Sequence, residues 1–156
     1  MVLLYRISKT KYAADLSGEG ARLFGGRWNL KGTPVIYTSD STALATLETL
    51  IHFSLNLVPE HRSILTLYFP DDLPTFEFGF DSLPDKWWVN PAPPMLSRLG
   101  QKWIERNAEV ALVVPSSVTP QAEGCNYILN PQHPDFSQIE IISVREYRYD
   151  SRFFTR

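Results

Sequence analysis

Three side chains with complementary chemistry lie within 22 positions of the chain: Arg27, Tyr37 and Glu48. The planar fork of arginine donors matches phosphate oxygens, and the tyrosine ring offers a flat surface for stacking. A carboxylate that is held against the protein body can stabilise positive charge as it develops in a transition state. These residue types together predict a site for a ligand with an anionic part, a flat part and a developing positive charge.

Short, tightly turned elements must position the first two side chains. Arg27 follows Gly25-Gly26, a pair that allows a sharp turn and a close approach of another group to the backbone. Tyr37 lies near the end of a strand predicted over residues 34–38. The structural alternative for the arginine is a surface guanidinium stacked on the neighbouring Trp28 ring.

Glu48 lies on a predicted amphipathic helix that begins after capping candidates at residues 39–41. Glu48 falls at the margin of the apolar stripe of this helix, and His52 lies slightly further round. The alternative for a lone glutamate is a solvated position on the helix surface. The predicted stripe consists of Ala43, Leu44, Leu47, Leu50, Ile51, Ser54 and Leu55.

The rest of the chain contains apolar runs, loops and one further helical pattern. A second amphipathic helix is predicted over residues 95–106, and the polar, glycine-bearing residues 8–24 predict a loop. Residues 109–114 are nearly all apolar, as in a strand covered on both faces. Other strands are predicted over residues 2–7, 62–69, 126–131 and 139–149. The pattern predicts a single α+β domain over residues 1–156, with mixed or antiparallel sheets and two main helices.

Composition limits the class of protein. The 156 residues are 44% hydrophobic and 21% charged, with a formal net charge of −2, which argues against a broad basic surface for nucleic acid. The N-terminal apolar run is too short for a signal peptide, and no run approaches the roughly 20 residues that cross a bilayer. We expect a cytoplasmic protein that contacts no membrane and binds no DNA directly.

The sequence gives little support for a metal site or for a nucleophilic catalytic residue. Cys125 is the single cysteine, so an internal disulfide cannot form, which fits a reducing compartment. His52, His61 and His133 lack zinc-ligand spacing with one another or with Cys125. The chain has no phosphate-binding loop, no dinucleotide glycine fingerprint and no serine nucleophile elbow. The prediction is a metal-independent site without a cofactor.

Trp87 and Trp88 are adjacent in a segment rich in proline and tryptophan. Adjacent tryptophans in a loop usually cover a hydrophobic core. The alternative is an exposed patch that binds a protein partner or a second copy of the chain. Full burial of both rings would refute this alternative.

Six short motifs, in order along nearly the whole chain, resemble the RES domain. The resemblance is weakest over residues 70–105. The motifs are Tyr5-Arg6, Gly25-Gly26-Arg27-Trp28-Asn29, Val35-Ile36-Tyr37-Thr38-Ser39, Ala45-Thr46-Leu47-Glu48 with His52, Val114-Pro115-Ser116, and the run from Asn126 to Phe136.

This resemblance implies the toxin of a type II toxin–antitoxin pair. The implied partner is an Xre-type helix-turn-helix antitoxin that covers the active site, and a homodimer within the complex is compatible with the pattern. The implied fold is that of ADP-ribosyltransferase toxins, and the implied substrate is NAD. The family attacks NAD by hydrolysis, by phosphorolysis or by ADP-ribosylation of a protein, and the sequence leaves the acceptor open.

By motif position, the resemblance implies site roles for five residues. Glu48 would contact the ribose and stabilise the oxocarbenium-like transition state of glycosidic cleavage. Arg6 and Arg27 would bind the pyrophosphate, and Tyr37 would stack on the nicotinamide. Ser116, with Ser117 as the alternative, would bond a ribose or carboxamide group. A catalytically inert module that binds NAD or an antitoxin is a further alternative.

Overall fold

One seven-stranded sheet organises the protein, in a computed structural model that describes residues 1–121 and 123–154. The strands are β1 (Val2–Lys9), β2 (Ile36–Ser39), β3 (Arg62–Phe69), β4 (Thr75–Glu77), β5 (Ala111–Pro115), β6 (Cys125–Leu129) and β7 (Glu140–Tyr147). Their order is β4-β5-β6-β2-β1-β3-β7. Neighbours pair antiparallel, except that β4 and β5 are parallel. The predicted mixed sheet is confirmed, and the predicted bounds of 1–156 extend beyond the described residues.

Three helices accompany the sheet: α1 (Glu19–Phe24), α2 (Thr42–Leu50) and α3 (Pro94–Arg106). The last two confirm the predicted main helices, whereas α1 lies where a loop is predicted. Glycines with positive φ, Gly18 and Gly25, bound this six-residue helix, which is too short to show a clear helical period. In the described part of the chain, no helix combines the length and apolarity that a membrane crossing requires.

Strand β5 is buried along its whole length, which confirms the predicted strand covered on both faces. Side chains alternate between the two faces of a sheet, so the register assigns each residue to a face. One face packs against segments between the strands, and its core includes Leu4, Leu65 and Leu129. We call it the loop face.

The opposite face, which we call the helix face, packs against α2 and α3 and carries two hydrophobic clusters. The first is built around Trp28, Trp87, Trp103, Leu112 and Ile128, and α3 contributes to it. The second is built around Ile7, Ala45, Ile64, Tyr149 and Phe154, and α2 contributes to it. Among the side chains that point to this face, Leu112 and Ile128 pack with α3, whereas Asn126 reaches Glu48 on α2.

Helix α2 buries a different stripe from the predicted one. It ends at Leu50, its buried residues are Leu44 and Ala45, and Leu47 and Ile51 are exposed. Hydroxyl bonds hold its other inner positions: Thr46 bonds the Tyr147 hydroxyl at 2.5 Å, and Thr49 bonds the Tyr149 hydroxyl at 2.7 Å. The predicted stripe includes residues up to 55, beyond the end of α2 at Leu50. It therefore differs from the face of α2 that Thr46 and Thr49 hold against the tyrosines.

Candidate functional site

The Glu48 carboxylate is held on the helix face by two short hydrogen bonds. Its Oε1 accepts from Ser116 Oγ at 2.6 Å and from Asn126 Nδ2 at 2.6 Å. Glu48 is half-buried, because Leu44 and Ala45 on the same helix pack against the sheet. It is therefore not the solvated helix glutamate of the alternative interpretation. Hydrogen bonds to a charged acceptor are short and strong, so the carboxylate has a defined orientation.

Ser116 lies directly after β5 and is fully buried. Its Oγ donates to Glu48 and accepts from the Val118 backbone N–H at 3.1 Å. Of the two candidate serines, the structure thus brings Ser116 to the carboxylate. The single proton of this buried hydroxyl is given to Glu48, so Ser116 supports the carboxylate.

Arg27 lies near Glu48 and Tyr37, where the turn after α1 meets the segment around residues 87–89. Its Nη1 donates to the Trp87 carbonyl at 2.8 Å, and its Nη2 donates to the Val89 carbonyl at 3.1 Å. Burial lowers the pKa of Arg27, and the Glu48 carboxylate acts in the opposite direction. The guanidinium stays charged at neutral pH, since arginine titrates far above it. A cation and a carboxylate therefore share this part of the helix face.

The Tyr37 hydroxyl is fixed by two partners in the motif around Arg27. It donates to Asn29 Oδ1 at 2.7 Å and accepts from the Trp28 backbone N–H at 3.1 Å. Burial raises the pKa of Tyr37 well above that of a free phenol, so the group stays neutral. A Cβ on Gly26 would lie 2.6 Å from this hydroxyl, which explains why the second glycine precedes Arg27.

Arg6 lies on the loop face, away from the other predicted site residues. It pairs with Leu65 in the sheet register, whereas its neighbour Tyr5 pairs with Ser39 on the helix face. One guanidinium nitrogen, Nη2, donates to the carbonyls of Tyr12, Ala13 and Asp15 at 2.7–3.2 Å. Burial lowers the pKa of Arg6, and Asp15 opposes this effect.

The placement of Arg6 follows from the alternation of side chains along a strand. The interpretation of Arg6 as an edge-strand arginine in solvent is wrong, because β1 is an internal strand. The arginine instead fastens the chain that follows β1 to the loop face.

The two adjacent tryptophans have different environments. Trp87 is buried in the cluster under α3, and its carbonyl binds Arg27. Trp88 is 44% exposed. The predicted core cover is confirmed for Trp87 alone, and the partner-binding alternative stays a prediction for Trp88.

Sequence reasoning missed Asn126 and Ser39 as site residues. Asn126 donates to Glu48, and Ser39 Oγ donates to Asn126 Oδ1 at 2.8 Å. The sequence signal that could have identified them is a polar residue at the end of β2, Ser39, and another near the start of β6, Asn126. The sequence predicts Ser39 as one of three capping candidates, but Ser41 is the residue whose side chain caps α2.

The site contains no metal-ligand cluster: across residues 1–121 and 123–154, no three His, Cys, Asp or Glu side chains converge. What converges is one cation, one neutral phenol and one oriented carboxylate beside small polar groups. Such a set can bind an anion and stabilise a cationic transition state at a short distance from it.

The comparisons with known proteins agree with one another. The model of the RES domain matches residues 3–151. The Prs ADP-ribosylating toxin of a Sphingobium species is 36% identical over 151 residues, which cover 96% of this chain and 92% of that protein. Toxin Res of Photorhabdus laumondii is 33% identical, with 97% and 96% covered. Toxin Res of Pseudomonas putida is 34% identical, with 98% and 100% covered.

A solved structure shares the fold. It is the crystal structure of the Mycobacterium tuberculosis MbcT-MbcA toxin-antitoxin complex, with a TM-score of 0.75 and 20% sequence identity. The alignment covers 94% of this chain and 84% of the matched chain. At that identity the likeness concerns the architecture of the sheet and its helices.

Proposed function

This chain belongs to the RES domain family, and from that premise we propose that it is the toxin of a toxin–antitoxin pair, acting by cleavage of the nicotinamide–ribose bond of NAD. The observation that carries the proposal is the Glu48 carboxylate, held by two hydrogen bonds beside the Arg27 cation. The names of three relatives at 33–36% identity, each called a toxin, support the biological role.

The chemistry requires little from the protein beyond positioning and charge. When the bond between C1′ of the ribose and the nicotinamide nitrogen breaks, the electron pair goes to the nicotinamide. The pyridinium becomes neutral and leaves without a general acid, while positive charge develops on the ribose. An acceptor oxygen then bonds to C1′ and releases its proton, as in glycoside cleavage through an oxocarbenium-like transition state.

Each residue has a role in this proposal. Glu48 bonds a ribose hydroxyl and stabilises the developing cation. Arg27 binds pyrophosphate oxygens through the donors that the carbonyls of residues 87 and 89 leave available. The Tyr37 ring provides the face for nicotinamide stacking, while its hydroxyl is held by Asn29. Ser116 donates a hydrogen bond that holds the Glu48 carboxylate in place.

A second candidate is ADP-ribosylation of a cellular protein, and the printed name of the Sphingobium relative favours it. Both candidates share nicotinamide release and differ in the acceptor, which is water, phosphate or a protein side chain. NAD is the substrate in either case, and neither reaction requires a resident cofactor. A partner antitoxin of helix-turn-helix type completes the proposal, supported by the fold shared with a toxin–antitoxin complex.

The test is incubation of the purified, antitoxin-free chain with NAD, with and without inorganic phosphate. We expect release of nicotinamide, measured by liquid chromatography. Mass spectrometry of the other product distinguishes ADP-ribose, its phosphorylated form and a protein adduct. Unchanged NAD in the presence of a folded chain would refute the enzymatic proposal, and NAD binding without nicotinamide release would indicate the inert module.

A further inference from the structure

A chain of hydrogen bonds continues behind the Glu48 carboxylate. Ser39 Oγ donates to Asn126 Oδ1 at 2.8 Å, and Asn126 Nδ2 donates to Glu48 Oε1 at 2.6 Å. Ser39 and Asn126 are directly opposite each other in the register of β2 and β6. From this arrangement we propose that Ser39 and Asn126 are positioning residues that set the orientation of Glu48 for catalysis, an inference that rests on the proposed function.

The amide of Asn126 has a single orientation because both of its ends are engaged. A side-chain amide has one acceptor oxygen and one donor nitrogen. The Glu48 carboxylate only accepts hydrogen bonds, so the amino group of Asn126 points to it. The amide oxygen then faces the Ser39 hydroxyl, which donates to it. Ser39 itself is buried, with 4% of its surface exposed, and therefore acts on the site through Asn126 alone.

Both donors to Glu48 reach the same oxygen. Ser116 Oγ and Asn126 Nδ2 each lie 2.6 Å from Oε1. The Ser116 oxygen already accepts a bond from the Val118 N–H, so its one proton is directed to Glu48. Oε1 is thus the anchored oxygen, and Oε2 is the oxygen that faces the ribose and the developing cation.

The strands supply this arrangement from a rigid base. Asn126 and Ser39 lie on neighbouring strands in the interior of the sheet, and Ser116 follows the fully buried strand β5. Groups on rigid elements hold a catalytic side chain more precisely than groups on loops do. A carboxylate that turns away from the ribose loses stabilisation of the transition state while substrate contacts by Arg27 persist.

The experiment compares Ser39→Ala and Asn126→Ala with the wild-type chain in the nicotinamide-release assay. We expect kcat to fall by about 10- to 100-fold while KM for NAD changes by less than about twofold, as expected for lost orientation of a catalytic group. Ser39→Thr retains the hydroxyl, so it should retain most of the wild-type kcat.

Thr38→Val is the matched control. Thr38 Oγ1 donates to the Tyr127 carbonyl at 2.7 Å, between the same two strands but on the loop face. It should lower the melting temperature as Ser39→Ala does and leave kcat unchanged. Equal kcat in Ser39→Ala and Thr38→Val, with an active wild-type chain, would overturn this inference alone. A folded wild-type chain without activity would overturn the proposed function and this inference together.

Discussion

At the scale of single residues, the site depends on how each side chain is held more than on which residue types are present. Glu48 is anchored through one oxygen, and Arg27 donates to two backbone carbonyls. The Tyr37 hydroxyl donates one hydrogen bond and accepts another. Each of these groups is therefore restricted before any ligand binds. Pre-organised groups stabilise a transition state without the cost of reorientation during the reaction.

The Glu48→Gln variant tests the role of the negative charge. The amide oxygen of glutamine can accept the same bonds from Ser116 and Asn126, so we expect the fold to persist. Loss of the charge should lower kcat for nicotinamide release by about 10²- to 10³-fold. Circular dichroism and thermal melting monitor the fold, and Glu60→Gln, at an exposed position, is the control. A Glu48→Gln variant that fails to fold would make this residue structural.

At the scale of elements, helix α2 is fastened to the sheet by hydroxyl groups as well as by apolar contacts. Thr46 and Thr49 flank Glu48 and bond the hydroxyls of Tyr147 and Tyr149. The buried apolar residues of α2 are Leu44 and Ala45, and Leu50 packs partly buried against the cluster around Ile7. The polar contacts therefore contribute substantially to the position of the helix that carries the carboxylate.

The double variant Tyr147→Phe, Tyr149→Phe tests this anchoring. It removes two hydrogen bonds to α2, each worth about 1 kcal/mol. We expect lower stability in chemical denaturation and a lower kcat, because Glu48 is held less firmly. Tyr68→Phe is the control. Tyr147 pairs with Arg62 at one end of β3, and Tyr68 lies near the other end of that strand. Unchanged kcat in the double variant would mean that Ser116 and Asn126 alone position Glu48.

The crossing of α3 over the Arg27 turn is a second element-level constraint. A Cβ on Gly100 of α3 would lie 1.7 Å from the Trp28 carbonyl oxygen, so only glycine fits there. We expect Gly100→Ala to lower the unfolding free energy by about 1–3 kcal/mol through overpacking, as measured by urea denaturation. Gly79→Ala, where a Cβ meets no atom within 4 Å, should be tolerated. Equal stabilities of the two variants would contradict the close packing.

At the scale of the whole molecule, the sheet separates the face that carries the candidate site from the face that does not. Glu48, Asn126, Ser39 and Tyr37 belong to the helix face, whereas Arg6 belongs to the loop face. The carbonyls that Arg6 binds belong to the segment that connects β1 to α1. Arg6 thus ties the sheet to the chain that leads to the site.

The variant Arg6→Gln tests this division. Because three backbone carbonyls would lose their common donor, we expect the unfolding free energy to fall by roughly 2–4 kcal/mol. KM for NAD should stay close to the wild-type value under conditions where the variant is folded. Lys9→Gln, on the same strand and exposed, provides the control. A large increase in KM for Arg6→Gln alone would support the predicted role of Arg6 in pyrophosphate binding and contradict this division.

The sequence by itself determined most of the elements and most of the candidate residues. Apolar periodicity located six of the seven strands and the two longer helices, because burial of one face imposes a period on the chain. The motifs around Arg27, Tyr37 and Glu48 identified side chains that the fold indeed places on one face. The Ser116 position also followed from its motif, and the structure brings this serine to Glu48.

Only the tertiary structure decided which residues share a face and which groups support them. The side-chain alternation of β1 directs Arg6 away from Glu48, and no local pattern shows which face of a strand will meet α2. The stripe that α2 buries depends on tyrosines about 100 positions along the chain. Likewise, Ser39 meets Asn126 only because β2 pairs with β6, since hydrogen bonds between distant residues depend on strand pairing.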